Sequence, residues 1–362
     1  MLPIEELEKI VYTNNVVKMY QELNTEIVKD IIKRLKENGD ISSYTKAQMR
    51  QLIKTGGKET FIEALKKTNG LSAERKQELT NLFYEIGQKD IESYTELYKY
   101  RNKELKLSDS QRKLLEHNIN STNKELKNFT KTIAFSSQNE FVNAVDKMYL
   151  EVATGGIDFQ TAFKKTTNDL AQKGIVLTTK KKGKSVAKSI EAVVRQNIQY
   201  SLREAVRGIN KSVGDELGCD GVQINISPNC RPEHRVINGQ KFRVDSKKWQ
   251  DNKDLLEDYG CQHYETPIIY DIEKNIYTNK QIRRANFREI EYNGEKIPYY
   301  EATQKQRALE RNVRIAKKTY ASKPTKENKL KVTKAQSKVR KYCNETGLER
   351  QYDREYFAKY NK

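Results

Sequence analysis

Apolar residues recur at steps of three and four between charged residues through the first third of the chain. This spacing holds almost throughout from Ile4 to about Asn128, and it predicts amphipathic helices. Glycine- and asparagine-containing stretches at 38–40, 55–57 and 69–72 are the expected breaks, because these residues favour turns over helix. The pattern indicates a helical array with no sign of chemistry.

Two more helical segments are predicted beyond this array. The first covers roughly residues 138–173 and is broken at 155–156, and a basic turn at 178–185 then leads into a long helix. Gly218 is the expected C-terminal cap residue of that helix. The apolar stripe of the long helix is Ile190, Val194, Ile198, Leu202, Val206, Ile209, Val213 and Leu217. Its regular spacing is typical of a helix face buried in a core.

After the long helix, the spacing of apolar residues changes from every third or fourth position to every second position. Alternating apolar residues predict a strand at 221–227, with further strands in 237–242 and 266–272 and a hairpin or turn at 292–300. The predicted fold class is α+β and predominantly α-helical, with a small, mostly antiparallel β module inserted between helical blocks.

Four regions follow from this order of elements. We expect an N-terminal helical array at 1–135 and a helical block with the long helix at 136–219. A small α+β module is expected at 220–300, and a basic C-terminal helical region at 301–362.

Composition adds information about the surface and the compartment. Hydrophobic residues make up 36% and charged residues 32% of the chain, which favours long solvated helices over a thick sheet. No window approaches the length of a membrane span, and the first ten residues lack the basic and apolar parts of a signal peptide. We therefore expect no membrane partner, a cytosolic chain and reduced cysteines.

The positive charge is concentrated near the C-terminus. The formal net charge is +19, and fourteen Lys and Arg face only two acids between Lys305 and Lys341. Such clustering attracts polyanions, although a solvated helix or a disordered tail has the same composition. Acidic surfaces of protein partners are equally good acceptors on charge alone.

Two cysteines and two histidines lie close together in the sequence, at Cys230, His234, Cys261 and His263. They provide two sulfur and two nitrogen ligands, which is a legitimate set for tetrahedral Zn²⁺. Cys261 and His263 would share one face of an extended segment. The alternatives are two buried thiols with hydrogen-bonding histidines, or a Cys–His nucleophile.

The sequence gives little support for an enzyme. The glycine-rich nucleotide-binding motifs are absent, as are the H-x-E and H-E-x-x-H patterns of zinc enzymes. The segment DIEK at 271–274 has only a loose, four-residue similarity to metal nucleases. We expect no catalytic residues.

Five ordered blocks resemble the phage minor capsid protein 2 family of tailed-phage head proteins. They are FVNAVDKMYLEVATGGIDFQTAFKKTTNDLAQKGI, DELGCDGVQI, RPEHRVINGQKF with YGCQH, IYTNKQI, and YYEATQKQRALERNVRIAKK with KYCNETGLERQYDR. The resemblance runs over most of the chain and is strongest in the last block.

The resemblance implies a low-copy virion component, assembled in the bacterial cytoplasm, that acts in head morphogenesis near the portal and touches packaged double-stranded DNA. The basic helix then becomes the candidate DNA-binding element, since its cations could contact phosphates without reading sequence. The candidate DNA-binding residues are Lys305, Arg307, Arg311, Arg314, Lys317 and Lys318.

The chain departs from the family pattern around the cysteines. The family commonly has a histidine where Ser227 stands here, and a longer run before its second cysteine segment. Cys230 has appeared three residues after Ser227, so it could replace the lost histidine if the family site binds metal. A fused nuclease or ADP-ribosyltransferase domain, found in some related head proteins, is not expected, because few residues follow TGLER. A helical scaffold that binds only protein is the third interpretation.

Overall fold

The computed structural model describes residues 10–181, 184–257, 261 and 263–358. The predicted helical start at Ile4 lies outside these ranges. The fold class is confirmed: helices dominate, and the strands form small antiparallel sheets. Helices of the first half are α1 Asn15–Glu37, α2 Lys46–Gly70, α3 Ser72–Glu92, α4 Thr95–Tyr100, α5 Asp109–Ala153 and α6 Phe159–Lys173.

The longest of these helices, α5, organises the first half of the molecule. Its 45 residues begin at a capping box in which the Ser108 and Gln111 side chains each bond the other's backbone. It packs against α2, α3 and α6, and its buried face belongs to a core that extends from Val11 to Leu217. The helix α5 spans positions 135 and 136, where the sequence pattern predicted a boundary between two regions.

Close contacts at glycine allow helices to approach α5. The TGG stretch at 55–57 was an expected break, but α2 continues through it. A Cβ atom on Gly56 would lie 2.4 Å from Cζ of Phe141, and one on Gly208 would lie 2.5 Å from Leu114. These glycines provide space for an α5 side chain, which explains why a residue that usually ends helices is found inside one.

The long helix is present as α7, Ile190–Leu217. All eight residues of its predicted stripe are buried, and Gly218 caps it in the left-handed conformation with φ of 63°. Residues 178–181 and 184–185 of the predicted basic turn belong instead to two antiparallel strands, β1 Val176–Lys181 and β2 Lys184–Ser189, and residues 182–183 lie outside the described ranges. Lysine-rich segments have low strand propensity, so these two strands were missed.

The β module follows α7. Its central strand β3, Gly221–Ile224, pairs antiparallel with β4, Lys241–Arg243, and with β5, Glu265–Ile268. The elements between the strands are 3₁₀ turns at Pro232–Val236 and Lys253–Glu257 and a short helix, α8 Lys247–Gln250. A small core of its own contains Val222, Ile224, Ile237, Phe242, Trp249, Leu256 and Cys261.

The last part of the described chain returns to helix. The helix α9, Asn279–Phe287, is followed by a hairpin of β6, Glu289–Tyr292, and β7, Glu295–Pro298. Two long helices, α10 Tyr299–Ser322 and α11 Lys326–Thr346, then pack against each other, and α10 also contacts α1 and α6. Among the described residues, no helix has the length and apolar content needed to cross a membrane.

Candidate functional site

The six predicted DNA-binding residues of α10 do not share one exposed face. Lys305 and Arg311 are exposed, and Arg307 and Arg314 are half-buried. Lys317 and Lys318 are only 6% and 4% exposed, and burial lowers the pKa of Lys317. Lys317 and Lys318 are therefore less accessible to a phosphate than the other four candidate residues.

Lys318 has a structural role inside the molecule. Its Nζ lies 3.7 Å from Oε1 of the buried Glu191 and donates to the carbonyl oxygen of Lys173 at 2.9 Å. Asn24 donates to the other Glu191 oxygen at 2.7 Å. Burial alone would raise the pKa of Glu191, but Lys318 and these hydrogen bonds outweigh it and hold that pKa below its ordinary value.

The other cations of α10 meet α7 across an open groove of about 950 Å³. Seven cationic side chains line this basic groove: Lys173, Lys188, Arg195, Arg307, Arg311, Arg314 and Lys318. Among its described lining residues the carboxylates are Asp169 and Glu191, and each lies beside a lysine, Lys147 and Lys318 respectively. The groove thus carries a strong excess of positive charge.

Two arginines of the basic groove contact the same aromatic ring. The guanidinium carbons of Arg195 and Arg314 lie 4.6 and 5.2 Å from the centroid of the Tyr12 ring. Burial and the positive charge of Arg195 lower the pKa of Arg314 to about 10. This shift shows that each of the two positive charges disfavours the other.

Only the α10 wall of this groove was predicted from the sequence. Lys173, Lys188 and Arg195 belong to the opposite wall, and Arg195 directly follows Val194 of the apolar stripe of α7. No local signal distinguishes such an arginine from an ordinary charged residue of an amphipathic helix. Seven further exposed cations lie on α11, outside the predicted set: Lys326, Lys329, Lys331, Lys334, Lys338, Arg340 and Lys341.

The structure brings together three of the four predicted metal ligands. His234 lies in the 3₁₀ turn that Pro232 begins, while Cys261 and His263 lie on the segment that enters β5. All three are buried, and their ligand atoms lie within 4.8 Å of one another. Sγ of Cys261 is 3.5 Å from Nδ1 of each histidine, so the predicted shared face of Cys261 and His263 is present.

A buried amide orients the His263 ring. Asn238 donates through Nδ2 to the Ser227 carbonyl and to Asn286 Oδ1, and its Oδ1 accepts from the Ser227 amide at 2.7 Å. The same Oδ1 lies 3.0 Å from Nε2 of His263. Since an amide oxygen can only accept, Nε2 must donate the proton, and Nδ1 directs its lone pair toward Cys261.

Cys230 lies beside this trio rather than within it. It lines the same small cavity of about 220 Å³ as His234, Cys261 and His263, and its thiol contacts the Arg231 carbonyl at 3.2 Å. Burial and the neighbouring Cys261 raise the pKa of Cys230 to about 12. Burial, His234 and Arg231 lower the pKa of His263 to about 3, so in the free protein His263 is neutral.

Contacts from α7 and α10 fix the position of the cluster. Arg203 of α7 donates to the Cys261 carbonyl, and Arg207 pairs with Glu265 at 3.2 Å. Gln304 and Arg307 of α10 line both the Cys/His cavity and the basic groove. The two candidate sites are therefore neighbours with a common wall.

Comparison with known proteins gives one result. A family model described as Phage minor capsid protein 2 matches residues 5–346, which is nearly the whole chain. No curated protein and no solved structure gives a significant match.

Proposed function

The chain belongs to the phage minor capsid protein 2 family, and from that premise we propose that it acts near the portal in head morphogenesis and contacts packaged DNA. Family membership makes it a structural protein of the virion whose partners are other phage head proteins. A structural capsid family also favours the absence of catalysis. Beyond family membership, we propose three further properties: a location near the portal, contact with DNA, and assembly in the host cytoplasm.

The basic groove is the observation that supports DNA contact. Its cations come from α10 on one side and from α6, β2 and α7 on the other, and the exposed lysines of α11 extend the positive surface beside it. Arginine and lysine side chains neutralise backbone phosphates and release condensed counterions, a mode of binding that ignores base sequence. A protein that meets whatever genome segment is packaged needs this kind of contact.

Removing two groove charges tests the DNA contact. We expect the double variant Arg195→Ala, Arg311→Ala to bind random-sequence duplex roughly tenfold more weakly, as about 1.4 kcal/mol corresponds to a tenfold change. An electrophoretic shift assay at about 50 and about 200 mM salt should show a salt slope that is shallower by about 0.9 for each lost phosphate contact.

A matched control removes the same charge elsewhere. Lys127 and Lys131 are exposed on α5 and do not line the groove, so the variant Lys127→Ala, Lys131→Ala should bind nearly like the wild type. Equal losses in both double variants would mean that net charge, and not the groove, determines binding. A wild-type chain that binds no duplex even at low salt leaves the protein-only scaffold as the better interpretation.

A deletion experiment tests the role in head assembly. Phage lacking the gene should produce defective or DNA-poor heads, and labelled protein should be found at the portal vertex in few copies per particle. Normal infectious particles without the protein would exclude the proposed role.

A further inference from the structure

We infer that the β module binds one structural Zn²⁺ through His234, Cys261 and His263, with Cys230 as the fourth ligand. This site is separate from the DNA contact proposed above and does not depend on it. Binding would convert both thiols to thiolates, with the two protons released to solvent.

The distances in the cluster match a tetrahedral site. With Zn–S near 2.3 Å and Zn–N near 2.0 Å, the sulfur-to-nitrogen edge of a tetrahedron is about 3.6 Å. Cys261 Sγ lies 3.5 Å from both Nδ1 atoms. A hydrogen-bonded cluster has the same distances when Sγ donates to Nδ1 of His263 and accepts from a protonated Nδ1 of His234, so the metal measurements below decide between the two.

The surroundings prepare His263 to bind a metal. Its Nε2 proton is held by Asn238, whose orientation is fixed by Ser227 and Asn286. An outer hydrogen bond of this kind sets the tautomer and the ring direction of metal-binding histidines. Nδ1 is therefore presented to Cys261 with its lone pair available.

Cys230 lies outside the group of ligand atoms within 4.8 Å of one another, and its side chain would turn within the same cavity to complete the ligand set. It is buried and lines the space of about 220 Å³ with the other three residues. Four protein ligands make a closed coordination sphere, which is typical of structural zinc sites. The ion would connect the loop before β4 to the segment before β5, in a module whose own apolar core is small.

One other chemistry shares part of this geometry. Cys261, His263 and Asn238 have the order of a nucleophile, a base and an orienting amide. An activated thiol needs access to a substrate, whereas Cys261 is 4% exposed and faces two imidazoles. The arrangement favours the metal, and the experiment below separates the two.

Metal content of the purified full-length chain is the first measurement. Protein produced with added zinc and passed through gel filtration should retain about one zinc per chain, and Cys261→Ala or His263→Ala should lose it. Cys219→Ala and His117→Ala are matched controls, because these residues lie outside the cluster, and they should retain the metal. Wild-type protein without zinc would overturn the proposal, whatever the folding of the variants.

Cobalt substitution tests the fourth ligand. Co²⁺ in the wild-type site should show a thiolate charge-transfer band, and Cys230→Ala should reduce its intensity about twofold. An unchanged band would overturn the four-ligand site. Iodoacetamide should alkylate Cys261 only after zinc is removed by a chelator, and rapid alkylation of the zinc-supplied chain would instead support the nucleophile and overturn the metal.

Discussion

At the scale of single residues, Asp90 is the most unusual buried group. It is fully buried on α3, and neither carboxyl oxygen has a hydrogen-bond partner among the described residues. Burial raises the pKa of Asp90 to about 7, against about 3.9 in an unfolded chain. The folded state therefore binds this proton more tightly than the unfolded state does.

This shift predicts that stability falls as pH rises. The contribution of the protonated Asp90 is fully present below about pH 4 and is lost as pH rises to about 7, at about 1.4 kcal/mol per pH unit. Asp90→Asn should melt like the wild type near pH 4, and it should be more stable by a few kcal/mol at pH 8. Thermal unfolding at several pH values measures this difference.

An exposed aspartate provides the control. Asp146 is exposed on α5, so Asp146→Asn should leave the pH profile of the melting temperature unchanged. If wild type and Asp90→Asn keep a constant difference across this pH range, the Asp90 carboxyl is not the titrating group.

Sequence patterns could not reveal the state of individual polar residues. Lys317 and Lys318 look like any cations of a basic helix, yet both are buried, and Lys318 contacts Lys173 and Glu191, which are more than a hundred positions away. Arg195 is the opposite case: it was not predicted as a DNA-binding residue, yet it lines the basic groove because α7 packs beside α10. Such assignments depend on tertiary contacts that have no local signature.

At the scale of elements, the approach of α2 to α5 depends on one missing side chain. Gly56 lies against the Phe141 ring, while a Cβ on the adjacent Gly57 would meet Gln138 and Val142 at an ordinary 3.5 Å. The two glycines are neighbours on the same helix, so they form a matched pair.

Alanine at these two positions should have opposite effects. Gly56→Ala forces the Phe141 ring to move and should cost about 1–3 kcal/mol of unfolding free energy. Gly57→Ala should stabilise by up to about 1 kcal/mol, because alanine favours helix over glycine. Urea unfolding of both variants measures the change, and equal stability of the two would contradict the proposed close contact.

Element prediction succeeded where periodicity was long and failed where packing decided the outcome. The eight-residue stripe of α7 and the cap at Gly218 were confirmed, since both are local properties of the sequence. The break expected at 55–57 was wrong. The helix α2 packs against Phe141 of α5 at Gly56, where its helix propensity is lowest, and this contact stabilises the helix there. The hairpin β1–β2 was missed, because its lysines hide the strand pattern.

At the scale of the whole molecule, a network around one buried ion pair connects α1, α7 and α10. Lys318 on α10 meets Glu191 at the start of α7, and Asn24 of α1 donates to the same carboxylate. Asn24 also accepts from the amide of Ile175 at 2.9 Å. Three distant segments therefore share one polar network.

Breaking that pair should destabilise the whole fold. Lys318→Met leaves a buried Glu191 without its cation and should cost about 3–5 kcal/mol, whereas adding Glu191→Leu should recover part of the loss. Arg311→Met on the exposed side of α10 should change stability by less than about 0.5 kcal/mol. Chemical unfolding compares the three variants, and a neutral Lys318→Met would show that the pair has no structural role.

The sequence alone predicted the fold class and the ligand types of the Cys/His cluster. The i, i+2 spacing predicted that Cys261 and His263 share one face, and their side chains are in contact. The amide of Asn238, which orients His263, lies in a loop that carries no recognisable motif. The basic groove was only half predicted, because its second wall comes from residues more than a hundred positions before α10. Local periodicity defines elements, and contacts between distant elements define sites.

The contact between Ala358 and the first helix has a consequence for the timing of folding. The amide of Ala358 donates to Oε1 of the buried Gln21 at 2.8 Å, across 337 positions of sequence. At about 5–20 residues per second, a ribosome needs on the order of twenty seconds to a minute to make that stretch. During this interval, the C-terminal segment that contacts α1 has not yet been synthesised. The newly made chain therefore depends on its own helical core, or on a chaperone, to avoid aggregation.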